Sequence, residues 1–344
     1  MHKIKKVGLV GYGSQGRRIA EAISAQKDMK LTGVCLKEPD LSAHMAAMKE
    51  FPIYVVDWEN AHSFKKEKIE VRGSISDLLS EIDIIVDATP AGVGKKNKDI
   101  FYSKHKVIFQ AGEPFDVADI PVFISKMEYE TAKKAMCVRI PTPYTVALMR
   151  TLEPLNAEFC IEEILCTFIR VGSEPMQASL GPVDTIVPDK TTVLQLIRDE
   201  IRYLMPKPII LSSFKVPSIL LSIESIVVRL EEEFSLSDVK DVLSKNARTI
   251  VVKDEEGLRS TDSIFEYIRR IGRSSGDIYE VCIWDKQIEI TNGKLKLVQA
   301  FDPHCVQTPE VIDAIRALAG EEKMEESFNR TNEALRLLSP GTYP

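Results

Sequence analysis

Gly11-Tyr12-Gly13-Ser14-Gln15-Gly16 is the stretch of this 344-residue chain whose residue types and spacing carry the clearest chemistry. A G-x-G-x-x-G run means little alone. Here it follows the apolar run Lys6 to Val10 and opens the amphipathic run Ser14 to Ala25, the strand–turn–helix context of a dinucleotide-binding loop. Gly11 permits the tight turn, Gly13 lets the main chain approach a pyrophosphate, and Gly16 lets the helix sit close to the sheet. The free N–H groups of the first helical turn then face the phosphates. A bare glycine turn without a ligand is the alternative, and the strand and helix on either side argue against it.

About 20 residues further on, a free ribose 2′-hydroxyl calls for Asp or Glu. Cys35, Leu36 and Lys37 stand there, followed by Glu38. The missing carboxylate, with Lys37 beside it, favours NADP over NAD as the expected cofactor. Arg17 and Arg18 could also reach a phosphate, although exposed first-turn arginines are more often only solvated. Asp87-Ala88-Thr89-Pro90 and Phe109-Gln110-Ala111-Gly112-Glu113 each end a strand-like run. In a doubly wound sheet the ligand lies outside the carboxyl ends of the strands, so Thr89, Pro90 and Gly112 are expected on the nicotinamide side. Ordinary strand-to-helix turns would read the same way.

The remaining reactive residues are scattered. Six cysteines (Cys35, Cys137, Cys160, Cys166, Cys282, Cys305) form no C-x-x-C pair and sit mostly in apolar runs, as reduced core thiols do. Five histidines (His2, His44, His62, His105, His304) lack ligand spacing, so no metal site is expected.

These candidates need elements to position them. Strand-like runs at Lys6 to Val10, Leu31 to Leu36, Ile84 to Ala88 and Val107 to Gln110 alternate with helical runs at Ser14 to Ala25, Leu41 to Lys49, Ile75 to Ser80 and Lys95 to Ser103. That alternation implies βαβ units and a parallel sheet covered on both faces, a Rossmann-type domain. From about Cys137 the runs lengthen (Phe159 to Val171, Ile219 to Leu230, Val281 to Ile290) and read as antiparallel strands, with Asn292-Gly293 as a type I′ hairpin turn. Helices are expected from Pro309 to about Gly320 and from Glu321 to Leu338, packing back on the first domain. The fold class is α/β: a Rossmann domain at 1–138 and 302–344, and an α+β domain with a mostly antiparallel sheet at 139–301. Two domains also suit the length, since single cores stop growing near ~250–300 residues.

Net charge is −6, with 44% hydrophobic and 28% charged residues. No basic field gathers nucleic acid, and the short lysine groups at 65–68 and 95–98 read as solvated faces. No apolar run approaches the ~18 residues of a membrane span or forms a signal core at the start, so a cytoplasmic protein is expected.

With these residues in view, the chain resembles archaeal-type glyceraldehyde-3-phosphate dehydrogenase. The likeness runs from Gly11-Tyr12-Gly13 through Asp87-Ala88-Thr89-Pro90, Phe109-Gln110-Ala111-Gly112-Glu113, Gly181-Pro182, Ile186-Val187-Pro188-Asp189, Glu266-Tyr267 and Gln299-Ala300 to Asp313-Ala314-Ile315-Arg316. It implies a Rossmann domain interrupted by a catalytic-type domain, and a homo-oligomer, usually a tetramer. The family reaction uses a cysteine thiolate and a histidine. The resemblance places the cysteine's position on Pro143, within Thr142-Pro143-Tyr144-Thr145-Val146-Ala147-Leu148, and the histidine pair on Leu196 and Ile197. Of the paired arginines that would bind a substrate phosphate only Arg170 remains, beside Val171, and an H-x-H stretch becomes Ser222-Ile223-Glu224. The family's thiol chemistry is expected to be lost, with Cys137 and Cys305 poor substitutes.

Two functions stay open. One is an NAD(P)-dependent oxidoreductase whose hydride transfer needs only an acid or base, drawn from Tyr144, Lys215, Glu224, Asp302 or His304. The other is a non-catalytic nucleotide-binding sensor or scaffold. Each polar candidate has a purely structural reading as a paired or solvated side chain.

Overall fold

The computed structural model describes residues 4–110, 112–173, 181–189, 192–273, 276–320 and 323–338. Ala111 of the F-Q-A-G-E stretch, His2 and Glu321 lie outside the described residues. The chain divides into two compact units, Met1–Thr142 with Thr308–Arg336, and Pro143–Gln307 with Leu337–Pro344.

In the first unit the chain runs β1 (Lys5–Val10), α1 (Ser14–Ser24), β2 (Met29–Leu36), α2 (Leu41–Met48), β3 (Ile53–Val55), α3 (Ala61–Lys66), β4 (Gly73–Ser74) and α4 (Ile75–Glu81). It continues through β5 (Ile84–Asp87), α5 (Val93–Phe101), β6 (Lys106–Phe109), α6 (Ser125–Ala132) and β7 (Cys137–Arg139). All seven described strands pair in parallel, in the order β4-β3-β2-β1-β5-β6-β7. Chain progression reverses at β1, where β2 lies on one side and β5 on the other, and a crevice opens at that switch point in doubly wound sheets. Parallel strands need apolar residues on both faces, and Val7, Leu9, Ile84, Ile85, Val86, Val107, Ile108 and Phe109 are indeed buried.

The second unit comprises α7 (Pro143–Phe159), β8 (Ile161–Val171), β9 (Val187–Pro188), α8 (Thr192–Leu204), β10 (Ile209–Val216), β11 (Ser222–Leu230), α9 (Leu236–Lys245) and β12 (Thr249–Val252). Then come α10 (Thr261–Arg270), β13 (Val281–Trp284), β14 (Glu289–Thr291) and β15 (Lys294–Phe301). Its described strands form a mixed sheet, β12-β13-β15-β11-β8-β10-β9 with β14 on β15, parallel only at β8–β10 and β12–β13. One face alternates inward along β8, β10, β11 and β15, and α7 and α8 pack on this sheet. Asn292 and Gly293 both take positive φ (52° and 68°), the two-residue turn their dipeptide requires.

After the second unit the chain returns as α11 (Thr308–Ala319) and α12 (Met324–Ala334). Helix α11 packs against α1 and α6. Within this unit the fully buried Arg316 holds Asp28 through Nε and Nη2 (2.9 and 2.8 Å), and also bonds Gln26 and Thr331. Burial pushes the Asp28 carboxyl up, but Arg316, then Lys5 and Arg330, outweigh it and hold the group down at about 2.

Three expectations need correction. The run Val281 to Ile290 is two strands, because Asp285-Lys286-Gln287 form a polar 3₁₀ turn between them. The run from Phe159 begins only at Ile161; Phe159 ends α7, and Cys160 reverses the chain at φ 50°. The sequence reading places no helix between Cys137 and Pro309, yet β7 stops at Arg139 and Pro143 opens a 17-residue helix. Proline suits that first position because its missing N–H has no intrahelical partner to lose.

Candidate active site

The crevice after β1 is built from main chain. Gly11 has φ 89°, and a Cβ there would stand 2.8 Å from the Ala88 carbonyl oxygen. A Cβ on Gly16 would lie 2.4 Å from the Gly11 carbonyl, so this turn closes only around hydrogen. Gly13 meets nothing within 4 Å, leaving open space over the start of α1. No side chain caps that helix, so its first N–H groups face the space uncapped, as a pyrophosphate would need. A cradle that closes at two glycines and opens at the third fits a dinucleotide.

Around this cradle the expected cofactor residues separate. Ser14 and Gln15 begin α1, and Arg18 Nη1 folds back onto the Ser14 hydroxyl at 2.9 Å. Arg17 reaches Met45 Sδ at 3.4 Å. The Tyr12 ring is 2% exposed and packs edge-on against Phe51. Burial, and then Glu21, push its phenol up to about 12; Tyr12 therefore offers the crevice its main chain, not its hydroxyl. Lys37 follows β2, is 76% exposed and leans toward Glu38 at 3.7 Å. Asn60 Nδ2 donates to the Lys37 carbonyl at 3.4 Å.

Thr89 and Pro90 follow β5. The buried Asp87 carboxylate accepts from the Thr89 hydroxyl and amide, from Asn97 Nδ2 (2.8 Å) and from the Tyr102 hydroxyl (2.9 Å), fixing this turn. Gly112 has φ 109° and faces Ala91. Glu113, from the same string, accepts from the amides of Gly94 and Lys95 at 2.9 and 3.0 Å, capping α5. A carboxylate at a helix N-terminus is stabilised there, so Glu113 is explained by structure.

The second unit gathers the other candidates at one sheet end. Phe168 and Arg170 lie near the end of β8, Ser213 and Lys215 near the end of β10, Gln299 and Phe301 at the end of β15, and Ser222 and Glu224 at the start of antiparallel β11. Registers link them: Ser213 with Phe168, Phe168 with Glu224, Glu224 with Gln299, and one step outward Lys215 with Arg170 and Ser222 with Phe301. Tyr144, in the first turn of α7, is 6% exposed, and its ring meets Phe168 and Phe301 edge-on at 5.6 and 5.5 Å. Arg170 stands over that ring at 4.9 Å and is ion-paired with Asp189. The expected anion-binding arginine is thus already neutralised. Lys215 is half-buried, as is Leu196, while Ile197 is fully buried.

Glu224 is 0% exposed. Its Oε2 accepts from Gln299 Nε2 at 2.5 Å, and its Oε1 has no partner among the described residues. Burial pushes this carboxyl well above the usual range, against the pull of Gln299. Gln299 is itself fixed on both ends: Nε2 also donates to the Ala147 carbonyl (3.2 Å), and Oε1 accepts from the Thr151 hydroxyl (2.5 Å). A parallel contact joins Thr145 to the buried Glu200 of α8 at 2.5 Å. Sequence reasoning missed the roles of Thr145, Thr151 and Glu200, because the threonines' partners lie 55 and 148 residues away in the chain.

Thiols are unfavourably placed for nucleophilic work. Burial raises Cys35 to about 12 and pushes up Cys137, Cys166 and Cys282; Glu231 raises Cys160. Cys305 is buried and donates to the Ile278 carbonyl. It stands with Asp277 and Asp302 so that one ligand-type atom from each lies within 4.8 Å, a grouping no spacing pattern reveals. Asp302 accepts from the His304 amide at 2.8 Å. Among the described residues no helix is long and apolar enough to cross a membrane.

Residues 144–298 match the family model "Glyceraldehyde 3-phosphate dehydrogenase, C-terminal domain". The chain is 36% identical to the glyceraldehyde-3-phosphate dehydrogenase of Methanobacterium formicicum over 97% of its own length and 100% of that protein's. It is 35% identical to those of Thermococcus kodakarensis and Halobacterium salinarum, over 97% and 96% of its length and 99% of theirs. Among solved structures, aspartate semialdehyde dehydrogenase II from Vibrio cholerae superposes with a TM-score of 0.68 at 11% identity, covering 93% of this chain and 100% of that one, a likeness of fold.

Proposed function

The chain belongs to the glyceraldehyde-3-phosphate dehydrogenase family, and on that premise we propose that it is an NAD(P)-dependent oxidoreductase that transfers hydride without the thioester chemistry of its relatives. When bound, the nicotinamide supplies or takes the hydride. Gly11, Tyr12, Gly13, Ser14, Gln15 and Gly16 hold the pyrophosphate through main chain, Lys37 meets the ribose 2′ group and favours NADP, and Thr89, Pro90 and Gly112 border the nicotinamide.

The observation that carries the reading is the contrast at α7. A dinucleotide cradle is retained, while Pro143 opens the helix at which the resemblance puts the nucleophile, and every thiol with a resolved shift is held in its protonated form. A thiolate is the competent nucleophile. Losing one member of a nucleophile–base unit costs on the order of 10⁶ in rate in serine proteases, so activity on glyceraldehyde 3-phosphate by the family route should be negligible. Arg170, neutralised by Asp189, also disfavours a phosphate dianion.

Purified protein, with and without prior alkylation by iodoacetamide, would be assayed for oxidation of glyceraldehyde 3-phosphate and for NADPH- and NADH-dependent reduction of aldehydes, ketones and imines. Alkylation-insensitive reduction with no oxidation of glyceraldehyde 3-phosphate supports the reading. Alkylation-sensitive oxidation of that sugar phosphate contradicts it. One observation favours the sensor or scaffold instead: Tyr144 fills the first turn of α7 with a ring packed against Phe168, Phe301 and Arg170. No turnover on any substrate, with nucleotide binding intact, would select that reading. We further propose a homo-oligomer; Ile210 and Phe214 project from the sheet face opposite the buried row, 58% and 37% exposed.

A further inference from the structure

Glu224 does not fit a purely structural role. A buried carboxyl group is costly unless its oxygens are satisfied, yet Oε1 has no partner among the described residues while Oε2 is held by Gln299. Its neighbour across β8 in the same row, Ser213, is 4% exposed and leaves its hydroxyl equally unpartnered. Two buried polar groups with spare hydrogen-bonding capacity therefore flank Phe168. They lie one row inside the sheet end formed by Arg170, Lys215 and Ser222, roughly 7 Å at two residues per row.

The frame around Glu224 is rigid. Gln299 uses both its amide ends, on Ala147, Thr151 and Glu224, and so cannot turn its oxygen toward the carboxyl. Glu224 Oε2 is consequently an acceptor, and the acid proton belongs on Oε1, the open side.

Resting on the hydride-transfer reading above, we propose that Glu224 is the proton donor of this chain's reaction and that the reaction runs as the reduction of a carbonyl group. The Glu224 O–H bond breaks and its proton goes to the carbonyl oxygen. The carbonyl carbon receives the hydride of a reduced nicotinamide, and the former C=O π pair makes the new O–H bond. The carboxylate left behind keeps the Gln299 N–H and regains its proton from water. A group that starts protonated serves reduction, whereas oxidation of an alcohol would need it as a base.

Cys166 on β8 is a titratable group coupled to Glu224: burial, and then Glu224, push its thiol up. From β15 Glu224 meets Gln299, which is tied to Thr151 and the Ala147 main chain of α7, and Arg170 and Lys215 lie one row outward in the sheet, with Arg170 over the Tyr144 ring. Burial pushes the Glu224 carboxyl well above the usual carboxylate range, which favours the acid form, and reduction falls as pH rises through its folded-state value.

The test is Glu224→Gln, which keeps the acceptor for Gln299 and removes the acid proton. The infrared difference spectrum between wild type and variant should show a protonated carboxyl at neutral pH, a readout that needs no substrate. A carboxylate there overturns the proposal. With NADPH and the panel of aldehydes and ketones, E224Q should lose at least about 100-fold in reduction, the low end of what a positioned acid contributes, with NADPH affinity unchanged. Equal reduction by both proteins overturns the role of Glu224 and leaves the hydride-transfer reading standing. No reduction by wild type overturns that reading and the proposal with it. Should E224Q fail to fold, the wild-type pH profile decides: reduction constant from acid through alkaline pH rejects the proposal.

Discussion

The crevice of the first unit is framed by main chain: the Gly11 turn, the bare amides at the start of α1, and the loop after β5 pinned by Asp87. At the sheet end of the second unit the facing groups are side chains, and most are already engaged with one another, Arg170 with Asp189, Thr145 with Glu200, Gln299 with Thr151. The crevice is open because glycines leave room. The polarity of the sheet end is largely satisfied within it, and among the described residues the exceptions include unpartnered atoms of Arg170, Glu224 and Ser213. In the proposed function the open crevice serves the cofactor, and the engaged side chains of the sheet end serve the substrate.

Four perturbations would break or sharpen this contrast. The largest effect is expected in the frame of the first unit. Arg316→Leu leaves Asp28 buried without its main partner, and removing one side of a buried ion pair costs about 3–5 kcal/mol; chemical denaturation should show that loss. The wild-type pair also has a definite acid limit. Asp28 is depressed below its ordinary 3.8 to about 2, so its stabilisation is present above pH 3.8 and disappears as pH falls through about 2.

Next is Gly13→Asp. Its Cβ has open space, so the fold should survive with little change in Tm, while a carboxylate at the pyrophosphate position should weaken NADPH and NADH alike by roughly 100-fold, about 2.7 kcal/mol. A large loss of stability instead would mean that Gly13 serves the fold and not the ligand.

The second unit should respond to pH where the first responds to charge deletion. Glu224 titrates above its ordinary 4.5 in the folded state, so its contribution to stability is complete below that value and is lost as pH rises through the folded-state value. Relative to Glu224→Gln, wild-type Tm should decline by a few degrees toward alkaline pH, on the scale of ~2–4 °C per kcal/mol. Parallel Tm curves would show that Glu224 is not held neutral.

The smallest effect belongs to Lys37→Glu. An exposed charge is screened by salt and worth little in stability, yet it should cost NADPH roughly 5- to 10-fold in affinity, about 1–1.4 kcal/mol, and leave NADH nearly unchanged. Equal losses for both would remove Lys37 from the 2′ site.

How much of this was legible in the sequence follows from the same contrast. The glycine cradle and the Asn292-Gly293 hairpin depend on local backbone conformation, which neighbouring residues reveal. The parallel sheet was equally readable, because its strands are apolar on both faces. The carboxyl network was not, since Thr145–Glu200, Glu224–Gln299 and Thr151–Gln299 join residues 55, 75 and 148 positions apart. Helix α7 escaped notice for a different reason: it is buried almost all round its first three turns and carries Pro154 internally, so neither a polar face nor a clean period marks it. Glu113 shares its string with Gly112, and only the amides of Gly94 and Lys95 show it capping a helix.

The most direct test of the retained cradle is titration of the purified protein with NADPH and NADH, followed by the heat of binding or by quenching of the exposed Trp58, whose neighbour Asn60 touches the Lys37 carbonyl. The account predicts micromolar binding, about −8 kcal/mol, tighter for NADPH. Absence of binding for both nucleotides would contradict it and leave a fold kept for some other purpose.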